Sequence, residues 1–309
     1  MLGQLVRRLL IAIPTLLVII AVAFSLMHAA PGGPFTKERQ VPPEIERRLE
    51  AKFGLDLPLD QQIARYVGGV LRGDLGPSMA YKDKDVIDII AEGLPTSILL
   101  GASAIFIALM AGGSMGVLAA LKQNKSQDYT VMGFAVLGVC LPPLVTGPLL
   151  QLLFGIHLSW LPSTGLHRDE YGLTYMVLPV MTLALPQIAI VSRLMRASMI
   201  ETMRSNAIRT ARAKGLPEAR VIVRHALPVA LLPIVSYLGP ALAGVLTGSF
   251  VVEKVFGLPG LGGQFVTGAL NRDYTVVMGV VLIYASLIIL FNLLADLLYG
   301  VLDPRSRKA

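Results

Sequence analysis

Six long stretches of this chain carry no charged side chain: Leu9–Met27, Leu94–Leu121, Thr130–Ile156, Leu173–Val191, Val229–Val252 and Thr275–Ala295. Each is near or above the roughly 20 residues that a helix needs to cross a bilayer. Hydrocarbon offers no water to backbone N–H and C=O groups, so such segments must be helical or shielded by protein. Hydrophobic residues make up 54% of the chain and charged ones only 15%, against about 25% charged in soluble proteins. The pattern predicts an all-α polytopic membrane protein with six transmembrane helices. The runs 94–121 and 130–156 exceed one bilayer thickness, which predicts tilt or extension past its edge. "MHAAPGG" after the first stretch would suit a cleaved signal peptide. Its 19-residue apolar core is longer than the about 7–15 residues of a signal core, which favours a retained anchor.

Direction follows from Lys and Arg in short loops. Arg7 and Arg8 flank the first stretch, and Lys122 and Lys125 join the second to the third. Arg193, Arg196, Arg204, Arg209, Arg212, Lys214, Arg220 and Arg224 separate the fourth from the fifth, and Arg305, Arg307 and Lys308 end the chain. The opposite short loops hold only Arg168, Lys254 and Arg272. Both termini are therefore expected in the cytoplasm. The net charge of +7 is read as topology, with membrane lipid and not nucleic acid as the partner.

The domain organisation expected is a cytoplasmic end plus first span over 1–30, an extracytoplasmic insert over 31–93, a core of five spans over 94–298, and a tail over 299–309. Within the insert, Ile45, Leu49 and Phe53 recur every four residues behind Pro43, with Gly54 as a stop. Leu59, Ile63, Val67 and Val70 form a second stripe, with Asp60 as candidate N-cap. Two short amphipathic helices are expected, packed on the spans or presented to a partner.

Chemistry is sparse. The sequence holds no GxxxxGK[ST] phosphate loop, no HExxH and no GxSxG. His28, His157, His167 and His225 are scattered, and "HRDE" at 167–170 reads as a solvated turn. Cys140, the one cysteine, is expected to be a small buried hydrophobe. No metal site, catalytic residue or resident cofactor is expected. "GLPGLGG" at 257–263 is read as an outer turn or half-inserted hairpin. Asp296 is the one acid near a span end, and Gln151, Thr182 and Gln187 either line a polar path or bond between helices. Gly112 with Gly116, and Gly244 with Gly248, are GxxxG pairs that let helix backbones approach closely, in this chain or a partner.

One segment breaks the apolar pattern: "RTARAKGLPEARVIVRHALP" at 209–228, with five basic side chains. Each Lys or Arg costs about 2.5–3.5 kcal/mol at a membrane helix centre, which excludes the segment from the bilayer. It reads as two short helices about Gly215, the first capped by Ser205 or Asn206 with Ile208, Ala211, Arg212 and Gly215 on one face. Gly215 supplies a left-handed stop, and Pro217 with Glu218 opens a second helix that ends before Pro228. Positive-inside charge explains the cations but not the Ala/Gly pattern, so docking and simple anchoring both stand.

At these residues the chain resembles the membrane subunit of ATP-binding-cassette importers. The segment is similar to that family's cytoplasmic coupling motif, with Arg209, Thr210 and Ala211 at the EAA positions and Gly215 as the glycine. The RTARAKG form resembles the oligopeptide and dipeptide branch. "RRLLIAIPTLLVI", "GDLGPS", "AALKQN", "VFGLPGLG", "ALNRDY" and the terminal "LDPR" extend the resemblance over essentially the whole chain. It is most similar to the first of the two paired oligopeptide permease subunits.

The resemblance implies the type I importer transmembrane fold in the bacterial inner membrane. It implies a homologous second membrane subunit, two cytoplasmic ATPase subunits holding ATP and Mg, and an extracytoplasmic peptide-binding protein. The stretch 193–228 would be the coupling loop, with Arg209, Thr210, Ala211, Arg212, Ala213, Lys214 and Gly215 docking the ATPase. Function would be oligopeptide import by alternating access, not catalysis by this chain. Dipeptide, nickel or another small solute is the alternative cargo, and an ion-coupled secondary transporter the alternative mechanism.

Overall fold

The computed structural model describes residues 2–29, 43–81, 83–165 and 172–302. Twelve helical elements are used here. They are α1 (Leu2–Ala29), α2 (Pro43–Phe53), α3 (Leu59–Val70), α4 (Val86–Leu121), α5 (Ser126–Cys140) and α6 (Pro143–His157). After these come α7 (Gly172–Met203), α8 (Asn206–Ala213), α9 (218–230), α10 (Leu232–Phe256), α11 (Leu261–Asn271) and α12 (Tyr274–Leu302). Among the described residues the one β-pairing is an isolated bridge between Pro77 and Asp85.

The helices α1, α4, α7, α10 and α12 are each long and apolar enough to cross a membrane. Counting α5 and α6 together gives six spans. That pair corrects the reading of 130–156 as one continuous run, because it bends by 105° after Cys140. The cause is local: Pro142 and Pro143 remove two helical N–H donors, and a residue before proline is driven to extended backbone, where Leu141 sits at φ −95° and ψ 111°. The other long helices run beyond their charge-free cores, since α4 starts at Val86, α7 continues to Met203 and α12 to Leu302.

The chain forms two compact units. One comprises Met1–Leu5, Ile98–Leu258 and Ile288–Ala309. Its core joins Leu100, Ala104, Leu178, Leu183, Val245 and Phe256, all buried, from α4, α7 and α10. Close approach is set by glycine: a Cβ on Gly116 would stand 2.6 Å from both Met195 Cβ and the Ser192 carbonyl, and one on Gly112 2.8 Å from the Ile188 carbonyl. This GxxxG pair therefore seats α4 on α7 within the chain. Gly248 lies against Leu183 more loosely, and Gly244 is exposed with its nearest neighbour, Gln187, at 3.9 Å.

The other unit comprises Val6–Ser97 and Pro259–Leu287. Ile20, Leu75, Val86, Ile90, Leu261 and Met278 form its core. Most of α1 faces outward, with Leu10, Ile13, Val18 and Leu26 more than half exposed, as a lipid-facing helix requires. Gly54 ends α2 at φ 70°. Ile63, Val67 and Val70 pack onto the core as their spacing predicts, but Leu59 is exposed, and Pro58 rather than Asp60 occupies the cap of α3. The side chains of Ile45 and Leu49, and the segments 31–42, "HRDE" and 303–309, lie outside the described residues. "GLPGLGG" makes a left-handed turn at Gly257 and then opens α11. Cys140 is exposed at the end of α5, correcting its reading as buried.

Candidate functional site

Residues 204–230 form a compact, charged elbow held by a small apolar core. Ile208 and Ala211 of α8, and Val221, Ala226 and Ala230 of α9, are buried against Val191, Met195 and Met199 of α7 and Ile234 of α10. Arg209, Thr210, Arg212, Ala213, Lys214 and Gly215 are all exposed, as are Pro217, Glu218, Ala219 and Arg220. The elbow therefore has one greasy side that fixes it to the long helices and one cationic side facing solvent. This corrects the predicted face: Arg212 and Gly215 do not share the buried side of Ile208 and Ala211.

The turn has a backbone cause. Gly215 adopts φ 74°, its N–H donates to the Arg212 carbonyl at 2.9 Å, and the Leu216 N–H donates to the Ala211 carbonyl. A side chain there would meet no atom within 4 Å, so the requirement for glycine is conformational and not steric. Ser205 occupies the cap position of α8 without a side-chain cap bond. Pro217 is extended at ψ 143° and precedes α9. The helix of α9 loosens into a π turn over Val221–Ala226, and the span α10 starts at Leu232, past Pro228.

Across the turn, Arg212 donates to both carboxylate oxygens of Glu218, Nη2 to Oε1 at 2.5 Å and Nε to Oε2 at 3.1 Å. The pairing holds the Glu218 carboxyl below its usual range and the Arg212 guanidinium above its own, in each case chiefly through these hydrogen bonds. Among the described residues Arg209, Lys214, Arg220 and Arg224 have no carboxylate partner, which leaves the outer side cationic.

A second feature escaped the sequence. Asp128, in the first turn of α5, is buried and accepts from Arg196 of α7, Nε to Oδ1 at 2.5 Å and Nη2 to Oδ2 at 2.6 Å. The Asn124 N–H also donates to Asp128 Oδ2 at 2.9 Å. Arg196 sits one residue beyond Met195, on the stretch that carries the elbow. In the sequence it looked like one more topological cation, and Asp128 like one helix-start acid; only the acid's presence in a basic loop hinted at more.

The polar groups of the long helices bond between or within helices. Gln151 donates to the Ser163 and Val255 carbonyls, Thr182 to Leu178, and Tyr237 donates to Gln187 at 2.8 Å. Asp296 is exposed on α12 and is engaged by a neighbour. Among the described residues no group of three or more His, Cys, Asp or Glu is placed to hold a metal ion.

The chain matches the family described as binding-protein-dependent transport system inner membrane component over residues 112–308, and that family's N-terminal region over 1–101. It is 50% identical over 307 residues to the oligopeptide transport system permease protein OppB of Escherichia coli K12, covering 99% of this chain and all of that one. The OppB of Haemophilus influenzae is 49% identical over the same length. The dipeptide transport system permease protein DppB of Bacillus subtilis is 42% identical over 94% of this chain and 93% of its own. In fold, the chain is similar to an inward-facing structure of the MetNI methionine ABC transporter, with a TM-score of 0.60 at 17% identity over 70% of this chain and 97% of that one. Full-length identity of this order, together with an all-helical architecture of five to six apolar spans, identifies the chain as a multi-pass membrane component of the binding-protein-dependent transport family.

Proposed function

We propose that this chain is one of two homologous membrane subunits of an importer that carries oligopeptides across the bacterial inner membrane by alternating access. Two separate ATPase subunits, holding ATP and Mg, supply the work, and an extracytoplasmic binding protein delivers the cargo. The observation that carries the coupling role is the two-sided elbow, whose apolar side grips α7 while Arg209, Thr210, Arg212, Ala213, Lys214 and Gly215 lie open. A surface built this way transmits a push on its exposed side to a rigid span. Ala211 is buried, so its contribution is to seat the elbow and not to touch the ATPase.

Oligopeptide is favoured over dipeptide because the OppB relatives are 49–50% identical and the DppB relative of Bacillus subtilis 42%. The second membrane subunit is supported by α10, where Ser236, Pro240, Gly244 and Thr247 form an exposed stripe of small and weakly polar residues suited to a helix. The count of Lys and Arg puts the elbow and both termini in the cytoplasm.

The test is Gly215→Trp beside Gly215→Asn. Asparagine tolerates left-handed backbone, whereas tryptophan strains it and adds bulk to the open side. The tryptophan variant is expected to insert normally but to lose ATPase subunits on gentle purification and to abolish peptide uptake, with asparagine retaining both. Normal uptake by a well-expressed Gly215→Trp chain overturns the coupling role.

A further inference from the structure

The insert and two span ends enclose a cavity of about 570 Å³ that the transport reading leaves unused. Its volume falls within the about 300–1,000 Å³ usual for small-molecule sites. Phe24 and Met27 form part of the wall, and they close the apolar window Leu10–Met27 of α1. Tyr274, Thr275 and Met278 add the start of α12, another membrane-length helix. The remaining wall comes from α2, α3 and the segment after them. The cavity thus lies where hydrocarbon gives way to water.

Its lining is amphipathic. Phe24, Tyr66, Leu75 and Met278 supply apolar surface, with Tyr66 edge-on to Phe24 at 5.5 Å between ring centroids. Lys52, Arg65 and Arg72 also line it, and all three are exposed. The Arg65 guanidinium reaches across to α2, with Nη1 2.6 Å from where a Gly54 side chain would begin. Among the described residues none of these cations has a carboxylate partner. Asp74, the single acid in the lining, already accepts from the Gly76 N–H at 2.8 Å. The Tyr66 hydroxyl is removed from water and has no hydrogen-bond partner among the described residues.

We propose that this cavity binds one anionic phospholipid of the adjacent leaflet, its acyl chain against Phe24, Leu75 and Met278 and its phosphate between Arg65, Arg72 and Lys52. A lipid is the occupant that matches both halves, because it reaches the cavity from the hydrocarbon at Met27 while its headgroup meets the cations at the water boundary. Bound there, it would tie the insert to α1 and α12 in a composition-dependent way. The reading is independent of cargo and of ATPase docking.

The experiment uses the full chain, purified with its partner subunits and exchanged into nanodiscs of phosphatidylcholine with or without phosphatidylglycerol. Retained lipid is counted by native mass spectrometry after release into detergent. Wild type is expected to keep one phosphatidylglycerol per chain in preference to phosphatidylcholine. Arg65→Gln with Arg72→Gln is expected to weaken that retention roughly tenfold, at about one electrostatic contact each. Gly68→Leu is an independent probe: Gly68 lines the cavity and a Cβ there meets nothing within 4 Å, so the larger side chain fills the space and expels the lipid without strain. Equal retention of both lipids by wild type, or undiminished phosphatidylglycerol in the folded double variant, overturns the proposal. So does a double variant that keeps its lipid and instead loses an extracytoplasmic partner protein, which would make the cations a protein-docking surface.

Discussion

Arg196 grips Asp128 with two parallel hydrogen bonds across 68 residues of sequence, fastening the start of α5 to the end of α7. Asp128 is 2% exposed and Arg196 26%. A planar guanidinium matches a carboxylate in this two-point geometry, and lysine does not. Arg196→Lys is expected to cost stability despite keeping the charge. Asp128→Asn is expected to cost about 2–3 kcal/mol, somewhat less than a fully enclosed pair because Arg196 stays partly open to water. Thermal melting in detergent checks both. A charge-swapped double variant should recover only part, since the Asn124 N–H would then point at a cation.

The two GxxxG pairs should respond differently. Gly116→Ala places a methyl 2.6 Å from Met195 and a backbone carbonyl, and is expected to destabilise by about 1–3 kcal/mol. Gly244→Ala meets its nearest atom at 3.9 Å and should leave the stability of this chain unchanged. Gly244→Leu tests the partner face: with normal folding, loss of the second membrane subunit on co-purification is the expected result. Equal destabilisation by the two alanine variants would contradict the packing described.

Asp273 is buried and accepts from the Ser78 hydroxyl, from the N–H groups of Met79, Ala80 and Val276, and from the Thr275 hydroxyl. It ties the segment after α3 to the first turn of α12. Asp273→Ala strands several buried donors and is expected to cost roughly 3 kcal/mol or more. Asp273→Asn should cost nearly as much, because its amide turns one acceptor into a donor facing donors. Unchanged melting of either variant would count against this clasp.

The Arg212–Glu218 bridge gives a pH prediction with a definite sign. The Glu218 carboxyl is held below its usual range, so the pairing is fully present above the ordinary carboxylate pKa of about 4.3 and is lost only as pH falls through the lower folded value. Arg212 is held up and stays charged throughout. ATPase co-purification is therefore expected to be flat from neutral to mildly alkaline pH and to weaken only in acid. Glu218→Gln should remove the part of that acid sensitivity due to the bridge. A loss centred near pH 7 would implicate other groups, the exposed His225 first.

The sequence by itself determined what the solvent dictates. Charge-free stretches of bilayer length must become helices, because hydrocarbon satisfies no backbone group, and cations between them must stay outside. The left-handed turn at Gly215 was legible too, since it depends on one residue's backbone freedom. Tertiary structure decided what depends on distant partners. It bent 126–157 at the two prolines, seated Gly112 and Gly116 on α7, and left Gly244 open. It turned Ala211 inward while Arg212 turned out to Glu218, and it paired Asp128 with Arg196. Periodicity tells which residues share a helix face, but the neighbour that face meets is set by packing of chain segments far apart in sequence.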